Sequence, residues 1–322
     1  MNNETKIAGL NILVTGGAGF IGSHLVEALL ERKAKVTVIS RLPLGMLVNL
    51  ENCMSMINYI KLDILSPDVK ELVATNKYDI IYHLANNAHV PSSIGNPISD
   101  MENNLLSTLN LLETIRLKSP STKIVYLSSA AVYGNPGYAP IDEFAPLAPI
   151  SPYGVSKLAA ERYISIYSVL YGLQTVTLRP FSVYGPRQTK QVIYDLMKKL
   201  SQNPIELNLD GDGTQIRDFC YVDDVVRAIL LVTLNGKLIG EAYNLASSQG
   251  HSISHLAHLV SDIMGVTPRI VFSGINRPGD PQEWIADISQ LTSLGYSPQV
   301  ELSEGIFNTY QWYQHNLSST GV

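Results

Sequence analysis

The chain has 322 residues, 45% of them apolar and 16% charged, with a formal net charge of -5. That length and apolar content build a substantial core, in one large domain with a subsidiary lobe or in two domains. The negative balance offers no basic stripe and argues against a nucleic-acid surface, and two cysteines, Cys53 and Cys220, fit neither a disulfide framework nor a metal set.

Short β-branched runs alternate with helical patterns through the first half. A continuous apolar strand is expected over 11–15, followed by a glycine turn and a helix over about 21–32. Strands follow over 35–39 and 59–62, then a helix near 68–75 and a strand over 80–84. A longer helix, about 101–118, precedes a strand over 123–128. This rhythm predicts an α/β fold: a doubly wound parallel sheet with helices on both faces, binding ligands beyond the carboxyl ends of its strands.

The second half loosens. Residues 135–152 are rich in Pro, Gly and Ala and read as a loop over a site. After a helix bearing Tyr153 come a strand over 175–178, a helix near 191–201, a turn at 210–213 and a helix over about 222–234. Residues 243–246 are expected to return as a strand to the main sheet, and the tail after 247 to form a small mixed lobe. The expected division is a dinucleotide-binding domain over 1–180, also receiving about 219–246, with 181–322 mainly a smaller, interleaved substrate lobe. The polar start, the early break at Gly16 and the shortness of the apolar run 228–234 lead to the expectation of a cytoplasmic protein with no membrane partner.

Gly16, Gly19 and Gly22 stand in Gly-x-x-Gly-x-x-Gly spacing between the first strand and the helix over about 21–32, with Phe20 and Ile21 expected beside the cofactor. Glycines there permit a tight turn and close backbone approach, placing a pyrophosphate on the helix N-terminus. The second strand of such a fold normally ends in an acid that grips the adenosine ribose. Here the place reads Ile39-Ser40-Arg41. A carboxylate would repel a 2′-phosphate, whereas Ser40 and Arg41 suit one, so NADP is expected over NAD. Asp63, followed by Ile64, is an expected adenine contact.

Tyr153 and Lys157 lie four apart, on one face of a helix. An ammonium beside a phenol favours the phenolate, so the tyrosine pKa is expected to fall toward the working pH. Ser129, at the end of the 123–128 strand, can hydrogen-bond the same substrate oxygen. The dinucleotide turn together with the activated tyrosine points to hydride and proton transfer at a carbinol carbon.

With these residues in view, the sequence resembles the extended short-chain dehydrogenase/reductase family, and within it the nucleotide-sugar epimerases and dehydratases. The resemblance runs through 15–22, His83-Leu84-Ala85, 128–134, 153–157, 179–187, 211–219 and Arg277-Pro278-Gly279-Asp280. It implies a Rossmann-type fold with Leu84 and Ala85 near the cofactor, Tyr153 as acid/base, Lys157 as its tuner and ribose anchor, and Ser129 as second hydroxyl. It implies substrate contacts from Ser182, Arg217 and Arg277 to a nucleotide-diphosphate sugar, and a homodimer through the 101–118 and 153–171 helices, whose apolar faces carry Leu105, Leu109 and Leu112, and Leu158, Tyr163, Ile166 and Leu170.

Three departures from the family pattern matter. Ala130 and Ala131 stand where dehydratases carry carboxylates, Ser182 where many members carry Asn, and Ser40-Arg41 where NAD-using epimerases carry Asp-Asn. The run 129–134 resembles UDP-galactose 4-epimerases, whereas Ser40-Arg41 resembles NADPH-using reductases. The expected activity is a nucleotide-sugar epimerase acting at C4 through a 4-keto sugar. An NADPH-dependent 4-ketoreductase and a non-catalytic dinucleotide-binding protein stand as alternatives. Elsewhere, His83 reads as a packed histidine, Asn86, Asn87 and His89 as strand-end residues near the nicotinamide, Tyr184 as lobe packing, and His251, His255 and His258 as a polar helix face.

Overall fold

The computed structural model describes residues 6–86, 90–275 and 282–320, the last four by backbone alone. Its main sheet is built from β1 (Asn11–Thr15), β2 (Lys35–Ser40), β3 (Asn58–Lys61), β4 (Ile80–His83), β5 (Lys123–Leu127), β6 (Thr175–Pro180) and β10 (Ile239–Leu245). All neighbours pair in parallel, in the order β10-β6-β5-β4-β1-β2-β3. Strands covered on both faces need apolar residues on both, which is why Ile12, Leu13 and Val14 are consecutive and all fully buried.

The covering helices are α1 (Phe20–Glu31), α2 (Asp68–Asn76), α5 (Ser107–Lys118), α6 (Pro152–Tyr171) and α8 (Val222–Asn235), with α3 (Val90–Gly95) and α4 (Pro97–Met101) before α5. The order reverses at β1: the chain runs outward through β2 and β3, then returns to β4 on the other side. That switch point opens a crevice between β1 and β4 at their carboxyl ends.

The strand expected at 243–246 is longer, and as β10 it extends the sheet beyond β6. The helix expected over 101–118 is broken: α4 passes into a π-helical turn, Glu102–Leu106, before α5. Helix α6 has firm local causes. The Ser151 side chain accepts from Gly154 N at 3.1 Å, Pro152 takes the first turn where no amide is needed, and Gly172 ends the helix at φ +69°.

The second lobe holds β7 (Ser182–Tyr184), α7 (Gln191–Gln202), β8 (Glu206–Leu209), β9 (Ile216–Tyr221), β11 (Gly250–Ser252), α9 (Ile253–Met264), β12 (Arg269–Phe272), β13 (Glu283–Trp284), α10 (Ser289–Ser293) and α11 (Leu302–Thr320). β9 pairs with β7, β11 and β13, and β8 pairs with β12. Tyr184 is buried against Phe219 and Tyr221. His251 lies on β11 rather than on a helix; its ring stacks on that of His255, on α9, at 5.4 Å. Among the described residues, no helix is long and apolar enough to cross a membrane.

Candidate active site

The glycine turn lies at the β1–β4 crevice. Gly16 has φ +71°, and a Cβ there would stand 2.8 Å from Ala85 N, the residue that follows Leu84 at the end of β4. Gly22 packs its own turn: a Cβ would lie 2.3 Å from Gly16 O. Thr15 Oγ1 accepts from Ala85 N at 3.1 Å, tying the β1 end to the β4 end. A helix leaves its first amides without intrahelical acceptors, and those of Phe20, Ile21 and Gly22 open onto this narrow backbone cradle. The arrangement fits a dinucleotide pyrophosphate on the N-terminus of α1.

Ser40 ends β2, and its hydroxyl accepts from Leu42 N at 3.3 Å. Arg41 and Asp63, both expected at the cofactor, are brought together: Arg41 Nη1 stands 3.9 Å from Asp63 and 3.3 Å from Asn103 Oδ1. The guanidinium expected to meet a 2′-phosphate therefore already faces a carboxylate and an amide oxygen. Asp63 also accepts from Leu65 N at 2.9 Å, while Ile64 is buried in the core under α2.

On the other side of the crevice, Ser129 caps a short 3₁₀ turn, accepting from Ala131 N at 3.2 Å, and its hydroxyl favours the ionised form of the Tyr153 phenol. Lys157, one turn along α6 and 1% exposed, donates to Leu127 O at 2.7 Å, with its ammonium 4.7 Å from the centre of the Tyr126 ring. Burial pushes the Tyr153 phenol up to about 12, eased by the Ser129 hydroxyl and reinforced by the charge of Asp100. The expected depression toward neutrality is thus absent here, because desolvation by burial dominates. Burial also pulls Lys157 down to about 7, countered by the charges of Asp100 and Glu161.

Below this pair, His83 is buried between two threonines: Nδ1 lies 2.8 Å from Thr15 Oγ1 and Nε2 3.0 Å from Thr108 Oγ1. Thr108 donates its own proton to Asn104 O at 2.6 Å, so Nε2 is the donor and Nδ1 the acceptor. Burial, with Lys157 nearby, holds His83 down to about 3, so it is neutral and structural. Behind α6, Arg179 is clasped by Glu161 and donates to Tyr133 Oη at 2.7 Å; Tyr133 in turn donates to Asn244 Oδ1 at 2.7 Å.

Ser182 begins β7, opposite Phe219 of β9. Arg217 lies on β9, largely buried, and donates to Ile216 O at 2.8 Å. Its strand faces His251 on one side and Trp284 on the other. Trp284 Nε1 donates to Gly134 O at 3.0 Å, fastening the second lobe to the loop behind Ser129, a contact the sequence reading missed. Arg277, Asn87 and His89 lie outside the described residues.

Comparison with known proteins decides the family. The model of the NAD dependent epimerase/dehydratase family matches residues 12–246, well over half the chain. The chain belongs to that family. Among its relatives, the uncharacterized UDP-glucose epimerase YtcB of Bacillus subtilis is 37% identical over 311 residues, covering 93% of this chain and 96% of the relative. The solved UDP-glucuronic acid 4-epimerase of Bacillus cereus, in complex with UDP-glucuronic acid and NAD, is 34% identical with a TM-score of 0.87, covering 95% of this chain and 100% of that one. UDP-glucose 4-epimerase of Thermotoga maritima, solved with UDP-glucose, gives 32% identity and a TM-score of 0.88 over 96% of this chain and 100% of that one. The chain is an NAD-dependent enzyme of the extended short-chain dehydrogenase type, and the preference for NADP read from Ser40-Arg41 finds no support in these matches.

Proposed function

We propose that this chain is a UDP-sugar 4-epimerase that recycles a bound NAD. The observation carrying it is the Ser129–Tyr153–Lys157 cluster at the crevice with Ala130 and Ala131, both buried, in the adjoining turn. Elimination of water across a sugar needs a carboxyl acid and base beside the tyrosine, and two alanines supply neither. Proton exchange at one carbinol needs only the tyrosine and its tuner.

In this reading the nicotinamide, when bound, supplies the acceptor and donor of the C4 hydride. Tyr153 takes the C4 hydroxyl proton and later returns it to the same oxygen on the other face, while Ser129 holds that oxygen through its hydroxyl. A phenol pushed up to about 12 gives up its proton only beside positive charge, and Lys157 is the cation the chain provides. Gly16, Gly19 and Gly22 seat the pyrophosphate, with Phe20, Ile21, Leu84 and Ala85 along it and Asp63 and Ile64 toward the adenine. Ser182, Arg217 and Arg277 hold the sugar and its diphosphate, a guanidinium matching phosphate oxygens in fork geometry. Residues 1–180 with about 219–246 carry the cofactor, and 181–322 mainly the nucleotide sugar.

NAD is the better fit to Arg41 because its guanidinium already faces the Asp63 carboxylate, whose negative charge would repel a 2′-phosphate placed beside it. The test is to denature freshly purified protein and identify the released nucleotide by mass spectrometry. Stoichiometric NAD supports the reading. Retained NADP restores the Arg41 argument, and an empty site that binds NADPH better than NADH moves the function to a ketoreductase. The assembly we propose is a homodimer through α5 and α6, where Leu117, Tyr163, Ile166, Val169 and Leu170 are exposed together. Light scattering after size exclusion should give the mass of two chains, and the mass of one would end that proposal.

A further inference from the structure

Lys157 is a buried cation in the field of two buried carboxylates, Asp100 and Glu161, and they are not equivalent. Glu161, one turn along α6, has both oxygens on the Arg179 guanidinium. Asp100, on α4, is 0% exposed, and only Oδ1 is engaged, accepting from Asn104 Nδ2 at 2.9 Å. Its Oδ2 has no hydrogen-bond partner among the described residues. A carboxylate oxygen stripped of water and left without a donor is costly unless a nearby cation balances it.

The backbone is shaped to hold Asp100 there. Asn96 caps α4 by accepting from Ser99 N at 3.1 Å, and the π-helical turn that follows brings Asn104 back onto Asp100. Such turns cost regularity and often mark functional positions. Both α4 and the π turn pack on α6, the helix of Tyr153 and Lys157.

We propose that Asp100 is a positioning residue for the acid/base pair: its free carboxylate oxygen is the counter-charge that keeps the Lys157 ammonium protonated in a dry site. The groups within its field are Lys157 and Tyr153 on α6 and Tyr126 on β5. Glu161 adds its field at Lys157 and Tyr126, and neutral His83 on β4 feels the Lys157 charge. Toward Lys157 the Asp100 charge favours the protonated form; toward Tyr153 it favours the neutral phenol. Removing it shifts both titrations to lower pH, so the base is easier to form and the ammonium easier to lose.

The test is a double-mutant cycle of Asp100→Asn and Lys157→Met, read by thermal unfolding at pH 6 and pH 9. At pH 6, Asp100→Asn should lower the melting temperature more in the Lys157 protein than in the Lys157→Met background, by about 2–6 °C. At pH 9, above the titration of Lys157 near 7, that difference should vanish. Equal shifts in the two backgrounds at pH 6, or a difference that persists at pH 9, overturn the proposal, because lost packing does not follow the charge of a lysine. Should Asp100→Asn not fold in either background, Asp100→Ser, read in the same cycle at the same two pH values, decides by the same outcomes. A second arm rests on the proposed function: with NAD bound, the pH profile of sugar turnover should move to lower pH in Asp100→Asn. A positive unfolding cycle with no turnover of any UDP-sugar would refute the function and leave the charge pairing standing.

Discussion

Replacing Gly22 by alanine tests the cofactor cradle directly. The new Cβ would lie 2.3 Å from Gly16 O, 2.8 Å from Gly17 Cα and 3.0 Å from Gly16 C, all backbone atoms, so no side chain can step aside. Ordinary contact for a Cβ starts near 3.4 Å, so the turn and the helix must part by roughly 1 Å. Helix α1 is anchored by Leu25, Val26 and Leu29, each fully buried, so the turn is the part that moves. Overpacking of this kind costs about 1–3 kcal/mol. If that falls on the bound state, NAD affinity drops by about 5- to 150-fold; if it falls on the fold, the melting temperature drops instead. Calorimetric titration with NAD and a thermal melt separate the two. Gly45→Ala, whose Cβ meets nothing within 4 Å, is the control and should change neither. A Gly22→Ala protein with unchanged affinity and unchanged melting temperature would refute the cradle.

Other outcomes follow from the same geometry. Tyr153→Phe should lose at least about 100-fold in turnover while still retaining its nucleotide, because the acid/base is gone and the cradle is intact; turnover within a few-fold of wild type would favour a non-catalytic reading. Arg217→Ala should raise KM for a UDP-sugar by about 10- to 100-fold with a smaller change in kcat, the loss of one charge-assisted contact, and an unchanged KM would remove Arg217 from the substrate site. His83, held down to about 3 in the folded state against 6.5 in the open chain, binds fewer protons folded than unfolded between those values. Stability is therefore whole above pH 6.5 and lost as pH falls, on the order of 3 kcal/mol by pH 4 from this group. Urea unfolding of His83→Gln should show a flatter dependence over that range, and an identical slope would contradict the buried neutral ring.

The sequence carried the fold because its signals were local. Alternating strands and helices, the glycine spacing and the Ser151-Pro152 helix start each act within a few residues, and β1 lies where the apolar run 11–15 put it. Tyr153, Lys157 and Ser129 were legible as a set because helix spacing and a strand end bring them to one place. What was not legible depends on distant partners. The neighbours of the Arg41 guanidinium are Asp63 and Asn103, residues about 20 and 60 places on that only tertiary packing brings close. The Tyr153 phenol is governed by burial, which no spacing rule supplies. The π turn hides in a pattern that reads as an unbroken helix, and with it Asp100, although the i,i+4 pair Asp100 and Asn104 was the available hint. Trp284 reaches Gly134 across 150 residues, with no local mark of the contact.

The central claim is that hydride leaves C4 and returns to the same carbon from a cofactor that never departs. Incubating the purified protein with UDP-galactose and UDP-glucuronic acid, each deuterated at C4, and following the products by NMR tests it. The account expects inversion at C4 with the deuterium kept there, no added nucleotide consumed, and an approach to equilibrium from either epimer. Loss of the label, or one equivalent of NADPH consumed for each sugar reduced, would contradict it.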